Sequence, residues 1–233
     1  MLAIFLAGCG YQWWHIHDYE KNVREAREAG FSWQHANIFD LIRQDWWAAL
    51  NPKAWAIDER SLTHRNVLEL GRYRDLIHRL RPTRVDIAGC ENVDALKGLS
   101  SLRTLYLRNC PTLQNLDALQ GLTDLQVLQI SSCPTLQKLV ALKELDRLQL
   151  LYLSNCHALQ DVDVLKELPA LQNLDLSACT ALQNVDALKG LPGLESLSLY
   201  GCLAIPATTL RELRLALPNT EITFPYGHNI PPP

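Results

Sequence analysis

The stretch LQNLDLSACTALQNVDALKGLPG, Leu171–Gly193, is one copy of a unit that runs through most of this chain. Three copies precede it: LRTLYLRNCPTLQNLDALQGLTD from Leu102, LQVLQISSCPTLQKLVALKELDR from Leu125 and LQLLYLSNCHALQDVDVLKELPA from Leu148. Cys110, Cys133, Cys156, Cys179 and Cys202 are each 23 residues apart. The same step relates Leu105, Leu128, Leu151, Leu174 and Leu197, and it relates Leu107, Ile130, Leu153, Leu176 and Leu199. Leu96, Leu119, Leu142, Leu165 and Leu188 form another column, followed three residues on by Leu99, Leu122, Leu145, Leu168 and Leu191. Five columns in one register describe a stack of identical units rather than a single closed core.

Within each unit, L-x-L alternates with the period of a strand, so both Leu point inward and the residue between them points outward. Strands from successive units then stack as a parallel sheet, each covering the apolar face that its neighbour cannot bury alone. The column Asp94, Asp117, Asp163 and Asp186 precedes the A-L-K-G-L stretch and suits the N-cap of a short helix or 3-10 turn on the opposite side. Val140 breaks that column, which predicts a less firmly started turn in its unit.

The pattern resembles the leucine-rich repeat, L-x-x-L-x-L-x-x-N/C-x-L, with Cys at the Asn/Cys position. The second half, V-D-A-L-K-G-L, is similar to the short internalin-type bacterial repeats, with one extra residue between the Cys and the next apolar anchor. The resemblance covers about Arg81 to Phe224. It implies an α/β leucine-rich repeat solenoid: a curved parallel sheet, short helices or 3-10 turns on the convex side, and an N-terminal helical cap.

The expected division is a signal-like segment at 1–9, a helical cap region at 10–79, the solenoid with its C-terminal cap at 80–224, and a flexible Pro-rich tail at 225–233. The first unit, RPTRVDIAGCENVDALKGLSS, is three residues shorter between Cys90 and Val93 than its successors, which marks an edge. After Cys202 the step is abandoned. A helix is expected around Thr209 to Leu217 and a short strand from Thr220 to Phe224, together closing the last open face. Before the repeat, helices are expected at Asn37 to Leu50, with Ile38, Ile42, Trp46 and Leu50 on one face, at Ser61 to Leu80, and more weakly at Asp18 to Ala29. All six Trp lie in the first quarter of the chain, as a small core or an aromatic pocket.

Composition narrows the function. The chain has 233 residues, 48 % of them hydrophobic and 20 % charged, with a net charge of −3. Ten basic and ten acidic residues precede Leu80, so the acidic excess belongs to the repeats. That balance argues against disorder and against a nucleic-acid partner, which needs a strongly basic face. No apolar run approaches the ~20 residues that span a bilayer as a helix.

At the start, Leu6-Ala7-Gly8-Cys9 resembles a bacterial lipobox, which implies cleavage before Cys9 and a diacylglycerol anchor on its thiol. Only eight residues precede Cys9 and none is Lys or Arg, short of a basic n-region and a full apolar h-region. Lipidation at Cys9 predicts membrane association in the bacterial cell envelope, with export as the variant, and places Trp13 and Trp14 near the headgroups. The repeat thiols pull the other way, towards a reducing compartment and a cytoplasmic or injected adaptor.

Neither metal nor cofactor is expected. Each repeat Cys lies on a different unit with its side chain pointing inward, unlike converging zinc ligands, and is read as a small buried thiol at the turn after each strand. His15-Ile16-His17-Asp18 resembles an H-x-H metal pair but lacks partner ligands on strands. No G-x-S-x-G, H-E-x-x-H, P-loop or dinucleotide fingerprint occurs, so no catalytic residue is assigned, and an enzyme built on Gln12 to Arg79 is the remote alternative.

What remains is the outward side of the strands. The residue between the two Leu is Asp86, Tyr106, Gln129, Tyr152, Asp175 and Ser198 in turn. Two residues later come Ala88, Arg108, Ser131, Ser154, Ser177 and Tyr200, and two residues earlier Arg84, Thr104, Val127, Leu150, Asn173 and Ser196. Tyr and Arg are enriched at binding hot spots. The candidate binding residues on the concave face are therefore Arg84, Asp86, Tyr106, Arg108, Gln129, Tyr152, Asp175 and Tyr200, with a protein or peptide as the ligand.

Overall fold

The computed structural model describes residues 21–22, 24–29, 32–34, 61–64, 70–191 and 193–225. Among the described residues nine strands form one sheet in sequence order: β1 (Ser32–Gln34), β2 (Ser61–His64), β3 (Arg84–Ala88), β4 (Thr104–Arg108), β5 (Val127–Ser131), β6 (Leu150–Ser154), β7 (Asn173–Asp175), β8 (Ser196–Ser198) and β9 (Glu221–Thr223). β1 pairs antiparallel with β2, and every later pair is parallel. The register repeats the sequence columns: Leu105 lies opposite Leu128 and Val85, and Leu128 opposite Leu151.

Alternate strand residues are buried, and their Leu and Ile side chains meet the Leu columns of the opposite side in one continuous core. Each buried Leu contributes about 1.5–3 kcal/mol relative to its exposed state. The opposite side is made of 3-10 turns at Asp94–Leu96, Asp117–Leu119, Val140–Glu144, Asp163–Glu167 and Asp186–Gly190. In the first two turns, which stop after three residues, the glycine that follows takes a left-handed conformation (Gly98 φ 80, Gly121 φ 79). Where Glu144, Glu167 or Gly190 stands in that column, the turn runs to five.

The aspartates do not cap these turns. Each is the first residue inside its turn, and its N–H is held by a side chain two residues earlier: Asn92 on Asp94 (3.1 Å), Asn115 on Asp117 (3.1 Å), Asp161 on Asp163 (3.4 Å) and Asn184 on Asp186 (2.9 Å). This is an Asx turn, in which a short side chain satisfies an N–H that the 3-10 ladder leaves over. The unit with Val140 has Lys138 at the capping position, which cannot accept a hydrogen bond, yet its turn reaches the same five residues as the two after it. Packing of Ala141 and Leu142 into the core forms the turn without the cap.

Six cysteines, Cys90, Cys110, Cys133, Cys156, Cys179 and Cys202, are free and buried. The thiols of Cys110, Cys133 and Cys156 donate to the carbonyl two residues back, at 3.5, 3.6 and 3.8 Å. Those of Cys179 and Cys202 reach instead to Leu153 O and Leu176 O of the preceding unit, both at 3.0 Å. β7 shows why the partner changes. The Asp175 carboxylate takes the Ser177 N–H at 2.7 Å, so the strand stops early and Leu153 O is left to the Cys179 thiol.

At the amino end, residues 21–22 and 24–28 are helical, in agreement with the helix expected at Asp18 to Ala29. Of the helix expected over Ser61 to Leu80, the described residues show a turn at Leu70–Tyr73 and helix α1 (Arg74–Leu80), which buries Leu76, Ile77 and Leu80. Ser61–His64 is a strand. The open edge of β3 offers a row of unpaired N–H and C=O groups, and this edge outweighs helical spacing in a short segment. The expected helical cap is therefore a mixed one, with two strands extending the sheet. Glu25 ties the helical residues 24–28 to α1 through an ion pair with Arg79 at 2.7 Å. The helix expected over Asn37 to Leu50, His15 and His17, every Trp of the expected cluster but Trp33, Cys9 and the end of the tail lie outside the described residues, while Trp33 stands on β1 opposite Leu62.

At the carboxyl end, helix α2 (Ala207–Ala216) and β9 occupy the positions expected for the cap. α2 buries Leu210 and Leu213 and is tied to the last turn by Lys189, which bridges Asp186 and Glu212 at 2.8 and 2.7 Å.

Candidate functional site

The outward strand positions form three in-register columns across the sheet. The middle one pairs Asp86 with Tyr106, Tyr106 with Gln129, Gln129 with Tyr152, Tyr152 with Asp175 and Asp175 with Ser198, and continues to Thr223. The first joins Arg84, Thr104, Val127, Leu150, Asn173, Ser196 and Glu221. The third runs Ala88, Arg108, Ser131, Ser154. Adjacent strands lie about 4.8 Å apart, so neighbouring side chains of one column can touch a common ligand.

Two diagonal contacts organise the amino-terminal end. Arg108 grips Asp86 through both carboxylate oxygens, Nε to Oδ1 at 3.2 Å and Nη2 to Oδ2. The guanidinium of Arg84 lies over the Tyr106 ring, 4.7 Å from its centre. Such a stack contributes about 0.5–1 kcal/mol at an exposed site, and both contacts hold long side chains in one arrangement before any ligand arrives. Arg108 remains 48 % exposed while Asp86 is 14 % exposed, so the cation faces outward and the carboxylate sits beneath it.

In the centre, Tyr106, Val127, Leu150 and Tyr152 lie on adjacent strands, an apolar and aromatic patch that is only partly buried. Towards the carboxyl end the face becomes hydroxylic. Ser177 Oγ donates to Asp175 and lies 2.9 Å from Ser198 Oγ. Tyr200 is 41 % exposed at this end.

The sheet thus brings seven of the eight candidate residues into one ladder-connected surface, and Tyr200 follows β8 at its margin. Two features were not read as part of the site. Val127 and Leu150 share a column with Arg84 but are not among the eight candidates, although an apolar side chain at an outward strand position is itself a signal. The second is a rim one residue before each strand, where Gln126 N donates to Arg103 O, Gln149 N to Gln126 O, Gln172 N to Gln149 O and Glu195 N to Gln172 O. Reading the 23-residue step at that offset reveals Arg103, Gln126, Gln149, Gln172 and Glu195.

Among the described residues no group of three or more His, Cys, Asp or Glu is arranged to hold a metal ion. The thiols sit in the core. Burial, reinforced by the neighbouring Cys179, pushes the Cys202 thiol up to about 12.

No family profile matches the sequence, and no curated protein does. Among solved structures, an internalin of Listeria monocytogenes superposes with a TM-score of 0.57 at 21 % identity, over 71 % of this chain and 47 % of the internalin. The fold is a leucine-rich repeat solenoid. Internalin C2 of the same organism matches at 25 % identity and a TM-score of 0.49, over 64 % of this chain and 63 % of its own. A chain of the yeast Rad7–Elc1 complex matches at 21 % identity and a TM-score of 0.51, over 73 % of this chain and 50 % of its own. The present chain spans about half the length of the first internalin. In the leucine-rich repeat solenoid the sheet is the concave side, so the three columns line the hollow and the 3-10 turns form the convex back.

Proposed function

We propose that this solenoid is a non-enzymatic binding protein that captures a protein or peptide on its concave sheet. The observation that carries the reading is the surface centred on Tyr106, Val127, Leu150 and Tyr152, flanked by the pre-ordered Arg84 and Arg108. Aromatic and Arg anchors on rigid strands, ringed by polar positions, are the composition of a recognition hot spot. Folds of this class host many partners, so the site and not the fold supports the reading.

The test is the double variant Tyr106→Ala/Tyr152→Ala. Loss of each ring removes about 2 kcal/mol or more of binding at a hot spot. Capture of the physiological partner should fall at least 10-fold while the melting temperature moves by only a few degrees. Unchanged capture would refute the concave-face assignment.

For placement we propose anchoring in the bacterial cell envelope through a lipidated Cys9. The competing reading, a cytoplasmic or injected adaptor, draws support from the six unpaired thiols. Intact mass of membrane and soluble fractions, after denaturing alkylation without reductant, separates the two. A species starting at Cys9 with a diacylglyceryl increment supports the envelope. A soluble species that retains Met1 and has seven alkylated thiols supports the adaptor.

A further inference from the structure

The concave face is electrically graded along the stack. Among the described residues it carries at β3 and β4 Arg84, Arg108 and Asp86 on the sheet, with Arg103 on the rim. Across β5 and β6 the equivalent positions are Val127, Gln129, Ser131, Leu150, Tyr152 and Ser154, and the rim holds Gln126 and Gln149, all uncharged. From β7 to β9 the charges are Asp175, Glu195 and Glu221, and no Lys or Arg occupies a sheet or rim position there. Arg214, on α2, is turned to the carbonyl of Thr220 at 2.8 Å. The first column therefore runs from Arg84 to Glu221, and the rim from Arg103 to Glu195.

We propose that the occupant of this face is a bipolar linear segment of a partner protein, acidic over β3–β4, apolar over β5–β6 and basic over β7–β9. The proposal rests on the concave-face reading above and adds direction and charge to it. Six strand steps of about 4.8 Å separate β3 from β9, roughly 29 Å. That length takes about nine residues of extended chain, or about nineteen of helix. The two poles lie farther apart than the ~8 Å Debye length at physiological salt, so each attracts its counterpart locally and neither cancels the other. Complementary fields of this kind set the register of an encounter and reject a partner lying the wrong way round.

The experiment uses the full chain and two synthetic peptides of equal composition. One has three Glu, an apolar Leu-Tyr-Val centre and three Lys in blocks; the other alternates Glu and Lys. The block peptide is made in two versions, with a photo-crosslinking group at its acidic end or at its basic end. The block peptide is expected to bind at least 10-fold tighter than the alternating one. Its acidic end should cross-link within residues 81–108, its basic end within residues 173–223, and Arg84→Glu/Arg103→Glu should abolish the first pattern. Cross-links on the sheet face without preference for either end overturn the polarity and leave the concave-face reading standing. Cross-links on the 3-10 side, or no binding up to about 1 mM, the weak edge of recognition, overturn both.

Discussion

The residue before each repeat cysteine has a positive φ in every unit: Gly89 (74°), Asn109 (52°), Ser132 (55°), Asn155 (56°), Ala178 (59°) and Gly201 (74°). The chain must turn sharply there to leave the strand, and only Gly and, to a lesser degree, Asn accept that conformation cheaply. Ala178 has neither advantage. Ala178→Gly should therefore raise stability by about 1 kcal/mol, read as a higher urea midpoint with unchanged slope. Gly201→Ala should do the opposite, since its new Cβ would also come 3.4 Å from Ala178 Cα. The buried thiols make a second prediction. Hydrogen bonding to a neighbouring thiol, then burial, raises Cys90, Cys133 and Cys179, while burial raises Cys202 to about 12. Unfolded thiols ionise near 9, so above that pH the unfolded state holds fewer protons and stability falls. Each raised thiol contributes at most about 1.4 kcal/mol per pH unit, and for Cys202 the window runs from 9.0 to about 12. A urea midpoint that stays level from pH 8 to pH 11 in protein and in a Cys202→Ala variant alike would contradict this.

At the scale of one element, the 3-10 turns show how a visible column can be assigned the wrong role. The aspartates stand out because they recur, and their place ahead of an apolar pair suggests a cap. The capping atom belongs to the Asn or Asp two residues earlier, a column that also recurs but is interrupted by Lys138. Asn184→Ala should lower stability by about 1 kcal/mol, because the Asp186 N–H loses its 2.9 Å partner. Lys138→Ala should change it by much less, since that turn has no such bond to lose. Equal effects in thermal unfolding would contradict the assignment. The strand β2 was not legible for a different reason. Ser61–His64 is too short to declare a period, and its conformation is supplied by the edge of β3.

For the molecule as a whole, stability is a sum of units and the interfaces between them, so the ends matter more than in a closed globule. α2 covers the last unit with Leu210 and Leu213, both fully buried. Leu210→Asp should cost at least 3 kcal/mol by placing an unpaired carboxylate in that interface. It should also cause concentration-dependent association, measured by light scattering, as the last repeat opens. A substitution of equal chemistry on the exposed side of the same helix, Leu215→Asp, should leave both readouts near those of the parent, because Leu215 is 67 % exposed.

The repeat could be read without a structure because its contacts are translational. Leu105 meets Leu128 for the same reason that Leu128 meets Leu151, so a single periodicity specifies strand, register, inward face and buried thiol at once. The C-terminal cap was readable too, since helix α2 and β9 begin where the step of 23 fails. The extension of the sheet into β1 and β2, the Asx turns, the Arg84–Tyr106 and Arg108–Asp86 contacts and the charge gradient were settled only in three dimensions. Each depends on which non-equivalent side chains from different units, or from outside the repeat, come to lie side by side. A pattern that records sameness between units carries no information about those differences until the chain is stacked.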